Sequence, residues 1–114
     1  MFQLSLTPIY RATVRFDVPA EDGQRLQCSF QAVFPRMTSD ELEAFGKKAA
    51  NEKWTDRQIA AQLLRGWGDD LRDAEGTPLL YTPANVALLL NQAGLGAAVV
   101  EAFRASQPKA ALGN

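Results

Sequence analysis

The stretch that decides the fold is residues 10–34, YRATVRFDVPAEDGQRLQCSFQAVF. In its first half Tyr10, Ala12, Val14, Phe16 and Val18 alternate with Arg11, Thr13, Arg15 and Asp17, which is the period of a half-buried strand. In its second half Leu26, Cys28, Phe30, Ala32 and Phe34 alternate with Gln27, Ser29 and Gln31. Between them, Pro19-Ala20-Glu21-Asp22-Gly23-Gln24 contains an Asp-Gly pair that favours a chain reversal. The pattern predicts an antiparallel hairpin with one apolar face. A lone hairpin is marginal in water, so that face requires a cover. Residues 2–9 are expected to add a short strand or an extended arm, with Pro8 arguing for an edge position.

Downstream the period changes from two to that of a helix. Thr38 to Glu41 is a capping box, followed by Leu42, Phe45 and Ala49 on one helical stripe. Thr55 to Gln58 is a second box, followed by Ile59, Leu63 and Trp67 at spacings of four, with Gly66 and Gly68 expected to bracket that helix's end. Thr82-Pro83 opens a third helix, with Val86, Leu89 and Leu90 as its buried stripe and Gly94 as its stop. A fourth carries Leu95, Val99, Val100 and Phe103. Strands followed by helices predict an α+β fold: an N-terminal antiparallel β-hairpin packed against about four short α-helices. The expected organisation is one domain over residues 1–107 and a mobile tail over residues 108–114, where no apolar stripe continues.

Composition narrows the function. With 114 residues the chain is long enough for one hydrophobic core and too short for two. Twelve basic against 13 acidic residues give a net charge of -1, without the broad positive field that binds nucleic acid. No run approaches the ~18 apolar residues of a membrane span. The opening MFQLSLTPIYR carries neither a basic leader nor a long apolar stretch, so no signal peptide is expected. The single cysteine, Cys28, cannot close an internal disulfide and falls on the apolar face of its strand. It reads as a buried structural thiol in a reducing compartment.

Catalytic chemistry finds few residues to work with. The chain has no histidine, which removes the usual general base and the commonest metal ligand. There is no glycine loop of the phosphate-cradling kind and no dinucleotide fingerprint. The cluster Asp69, Asp70, Asp73 and Glu75, ahead of Gly76, has the residue types to hold calcium or magnesium or to act as a carboxylate pair. Its order does not match a calcium loop, and it reads as a solvated turn. Lys47, Lys48, Lys53 and Arg57 read as the wet faces of two helices. The two tryptophans carry two readings each. Trp67 is either core or a partner anchor, and Trp54 either staples onto the next helix or anchors a partner. We therefore expect a protein-binding function, no catalysis and no cofactor.

The stretch from Trp67 through Leu71, Asp73, Gly76, Tyr81 and Thr82 to Asn85 and Val86 resembles the tail assembly chaperones of long-tailed bacteriophages and prophages. Members carry a Trp, a small apolar residue and Asp, then Gly, and finally an aromatic before a Ser or Thr that opens a helix. The chain length and the strand pair ending near Phe34-Pro35 are also similar to that family. In physical terms, Asp73 and Gly76 would form a turn, and Tyr81 would tuck under the helix capped by Thr82.

The resemblance implies a protein of the bacterial host's cytoplasm that is needed to build a phage tail. It implies binding of the tape measure protein, whose long helical hydrophobic stretches it keeps soluble, and recruitment of tail tube protein. In many such phages ribosomal frameshifting makes a longer form, and an extension here would join after Pro108. The mechanism implied is reversible burial of apolar partner surface in a groove. The candidate contact residues are Trp54, Trp67, Leu71, Leu79 and Tyr81, and a homo-oligomer fits a protein that coats a long partner. The alternatives are a generic protein-binding adaptor and a structural tail or head–tail joining component.

Overall fold

The hairpin forms as the alternation requires. In the computed structural model, which describes residues 7–108, β1 (Ile9–Pro19) pairs with β2 (Arg25–Pro35) in one unbroken antiparallel register from Ile9↔Pro35 to Pro19↔Arg25. The reversal is closed by the Gly23 N–H donating to the Ala20 carbonyl at 2.9 Å, with Gly23 at φ +86°. That φ is cheap for glycine and explains the Asp-Gly pair. Of the arm expected over residues 2–9, only Thr7 to Ile9 are described. There the Pro8 carbonyl accepts from the Arg36 N–H at 2.8 Å, extending the ladder. Of the expected tail, only Pro108 is described.

The cover consists of helices. The elements that follow are α1 (Ser39–Asn51), α2 (Asp56–Leu63), β3 (Gly66–Trp67), α3 (Pro83–Leu90) and α4 (Leu95–Ser106), so the architecture is α+β with a three-stranded antiparallel sheet. Both capping boxes form. The Thr38 and Thr55 hydroxyls accept from the Glu41 and Gln58 N–H groups, each at 3.2 Å, and the Glu and Gln side chains accept in return. Glu41 is thereby held below the usual carboxylate range, chiefly by the Thr38 backbone N–H and secondarily by the Thr38 side chain. Thr82 caps α3, with Pro83 in its first turn.

One core holds these layers together. Val14, Phe30, Ala32 and Phe34 from the sheet meet Ala60, Leu63 and Leu64, then Leu89 and Leu90, and finally Leu95, Val99 and Phe103. Helix α4 lies on β1 and against α2, with Phe103 edge-on to Phe34 at 5.5 Å. The close approach of α4 to α2 depends on Gly96, where an added Cβ would lie 3.0 Å from the Arg57 Cα. Helix α1 buries no residue fully and leans on the core only through Leu42 and Phe45.

Two expectations need correction. The second helix does not run to Trp67: α2 stops at Leu63, Leu64 is extended at ψ 120°, and Trp67 lies in β3. The edge of β2 captures the chain, since the Val33 and Gln31 carbonyls accept the Arg65 and Gly68 N–H groups at 2.8 and 3.0 Å. Two glycines flanking Trp67 make a further helical turn costly, so the ladder wins. Cys28 is half-buried rather than buried. On the same face Leu26 is 54% exposed, so the apolar face is not covered along its whole length as predicted.

Candidate protein-binding surface

Four of the five candidate residues fall into one corner. Trp67 sits opposite Ala32 in the β2–β3 ladder, which turns its indole onto the partly buried layer around the core. Its Nε1–H donates to the Leu79 carbonyl at 2.6 Å. The Leu79 N–H in turn donates to the Leu71 carbonyl at 2.8 Å, closing the excursion between them. The Tyr81 ring stands edge-on to Trp67, centroids 5.1 Å apart at 74°, while its hydroxyl donates to the Leu64 carbonyl at 2.6 Å. Trp67, Leu71, Leu79 and Tyr81 thus tie the end of α2 to the start of α3. Three of them are half-buried, and Tyr81 keeps 45% of its surface exposed.

Trp54 belongs elsewhere. It closes the C-terminal end of α1, its N–H donating to the Ala49 carbonyl at 2.9 Å while the Lys53 N–H reaches Ala50. Lys53 adopts φ 55° to allow this, a left-handed turn at a helix end. The indole packs edge-on against Phe45 at 5.7 Å, with the Lys48 ammonium 5.8 Å from its centroid. Trp54 thus staples onto the preceding helix through Phe45.

The acidic cluster is a turn in which Asp70 and Asp73 are occupied with backbone. Asp73 accepts from the Glu75 and Thr77 N–H groups at 3.0 and 2.9 Å, and Gly76 takes φ +79°. Asp70 accepts from the Gln31 N–H at 3.1 Å. This is the N–H that β2 leaves unpaired where the two-residue β3 ends, so Asp70 caps a sheet edge. Among the described residues, no group of three Cys, Asp or Glu side chains gathers as metal ligands would. Asp70→Ala is expected to lower stability by about 1 kcal/mol in urea unfolding, and Asp70→Asn by less, because the amide oxygen still accepts. Equal stability of the alanine variant would remove the cap from the account.

Beside the corner lies a groove the candidate residues only partly foreshadowed. It runs between α2 and α3, encloses about 480 Å³, and is lined by Ala61, Tyr81, Pro83, Val86, Ala87 and Leu90, with Arg57 and Gln58 at its rim. Tyr81 is the one candidate residue that lines it. Next to it Leu80 is 73% exposed, and Leu88 on α3 is 58% exposed. The sequence held a signal for Leu80: in the extended run Leu79-Leu80-Tyr81, adjacent side chains point to opposite sides, so they cannot all be buried. The small residues Ala61 and Ala87 carried no such signal, because their meaning depends on how α2 and α3 are placed.

Among the described residues no single helix is long and apolar enough to cross a membrane. Comparison with family models, with curated proteins and with solved structures finds no match to this chain.

Proposed function

We propose that this chain is a non-enzymatic chaperone of phage tail assembly, which receives an apolar helical segment of a tape measure protein in the α2–α3 groove and helps recruit tail tube subunits. The observation that carries the reading is the double role of Tyr81. It is the aromatic of the Trp67-to-Val86 stretch on which the family resemblance rests, and it forms a wall of the groove while braced by Trp67 and Leu64. Of the motif residues, Tyr81 and Val86 then line the binding surface, and Trp67 and Leu71 stand in the corner behind Tyr81. The groove has the size and lining of a site for a few apolar anchors of an amphipathic helix, and Arg57 and Gln58 at its rim would meet the polar flank.

The experiment is co-expression with the tape measure protein encoded beside this chain, scoring the soluble fraction of that partner. The native chain should bring it into the soluble fraction and co-purify with it. Ala61→Glu combined with Ala87→Glu sets two carboxylates in the groove at exposed positions, so the melting temperature should stay within a few degrees while the soluble partner is lost. A native chain that leaves the partner insoluble would sink the chaperone reading. A variant that binds as well as the native chain would move the site out of this groove.

A further inference from the structure

The second unoccupied feature of the fold is the outer edge of its sheet. The strand order is β1-β2-β3, so β1 has a partner on one side only among the described residues. Which of its backbone groups face outward follows from the two ends of the ladder. The Pro8 carbonyl bonds to Arg36 and the Ala20 N–H to Gln24, so the even-numbered residues of β1 turn their N–H and C=O groups toward β2. Arg11, Thr13, Arg15 and Asp17 therefore turn theirs outward. The open stretch has defined ends: the Ile9 carbonyl accepts from the Thr7 hydroxyl at 2.7 Å, and Pro19 has no N–H to offer. Between these ends the register has no bulge to twist the strand away from pairing.

We infer that this edge pairs with the same edge of a second copy of the chain, β1 antiparallel to β1 about a two-fold axis through Val14. In that register the two strands overlap completely. Arg11 of each copy lies opposite Asp17 of the other, and Thr13 opposite Arg15, giving four doubly hydrogen-bonded pairs. Charge selects this alignment over its neighbours. Shifting the axis to Arg15 sets Arg15 against Arg15, and shifting it to Thr13 sets Arg11 against Arg15; like charges directly opposite are destabilising. Among the described residues of one copy the ion pair of Asp17 is with Arg25, at 3.8 Å with both side chains well exposed, which leaves its carboxylate accessible to Arg11 of the second copy.

Helix α4 lies on β1 and meets α2 through Gly96, while α2 runs directly into β3 on the far side of the sheet. The flank of α4 opposite Gly96, at helical spacing, consists of Ala98, Ala102 and Ala105, of which Ala98 and Ala102 are partly buried against the core. Two copies joined along β1 would bring their α4 helices side by side, and alanine is the side chain that lets helix axes come to the short end of the ~8–10 Å packing range. This inference stands independently of the groove between α2 and α3.

The test is sedimentation equilibrium of the full chain across micromolar to hundred-micromolar concentration. The native protein should approach twice its 12.5 kDa mass. The N–H groups of Arg11, Thr13, Arg15 and Asp17 should gain protection from hydrogen exchange as concentration rises. Arg15→Pro removes one outward N–H at an edge position where proline is tolerated, and should give a folded monomer. Arg11→Asp should weaken association at least tenfold, and Arg11→Asp combined with Asp17→Arg should restore it, because the facing pair is then reversed rather than lost. A native chain that remains monomeric at the highest concentration, including one whose edge takes only a strand of a different protein, overturns the inference. So does a dimer that neither Arg15→Pro nor the charge exchange affects.

Discussion

Phe34→Ala is expected to lower the stability of the fold by about 3–5 kcal/mol, the range for removing a fully buried aromatic ring. Phe34 has no exposed surface and is the contact at which sheet and helices meet. Its ring stands edge-on to Phe103 of α4 at 5.5 Å and tilted against Tyr10 of β1 at 6.2 Å. Tyr10 in turn holds the end of α4, its hydroxyl 2.6 Å from the Ser106 hydroxyl and accepting from the Gln107 amide at 2.8 Å. The cavity would therefore open where three elements converge, and none can move in without releasing another. Domains of this size hold only about 5–15 kcal/mol in total, so the variant should lose a large part of its margin and melt many degrees lower. Phe34→Leu should cost far less, because it keeps most of the volume. Leu80→Ala, at 73% exposure, should stay within about 0.5 kcal/mol of the native chain. Urea unfolding followed by circular dichroism separates the three. A Phe34→Ala variant as stable as Leu80→Ala would mean the sheet–helix interface is not where the stability lies.

What the sequence made legible is what local bonds decide. Thr38 with Glu41 and Thr55 with Gln58 are separated by three residues, and each pair closes its helix end without help from the rest of the chain. The hairpin was legible for the same reason: alternation and a glycine able to take φ +86° suffice to bring β1 back along β2. The spacing of four from Leu63 to Trp67 is compatible with a helix, which is why pattern alone places Trp67 in α2. The decision is made by Val33 and Gln31, more than thirty positions earlier, whose carbonyls draw residues 65–68 into the sheet. Gly96 carried no signal at all until α4 lay against Arg57. The candidate site follows the same rule. Tyr81 was visible as an aromatic ahead of a cap, whereas the groove it walls exists only once α2 and α3 stand side by side.

The second large effect is expected at Trp67, where stability and binding can be separated by two substitutions. Trp67→Ala removes a half-buried indole, its edge-on contact with Tyr81 and its hydrogen bond to the Leu79 carbonyl. A loss of about 2–4 kcal/mol follows, below the full-burial range because part of the ring is already in water. Tyr81 would then keep only its bond to the Leu64 carbonyl, and the wall it gives to the groove would lose its backing. Partner binding should fall with stability in that variant, which alone does not distinguish a support from a contact. Trp67→Phe does. It retains an aromatic edge for Tyr81 and gives up the N–H donor, at about 1 kcal/mol, leaving the groove lined as before. If the proposed function holds and Trp67 acts as the brace behind Tyr81, the phenylalanine variant should solubilise the tape measure protein almost as well as the native chain. If that variant keeps its melting temperature within a few degrees yet loses the partner, the indole itself touches the bound segment. The binding surface would then extend from the groove across the corner to β3, and Leu80, exposed between the two, would be the next position to replace.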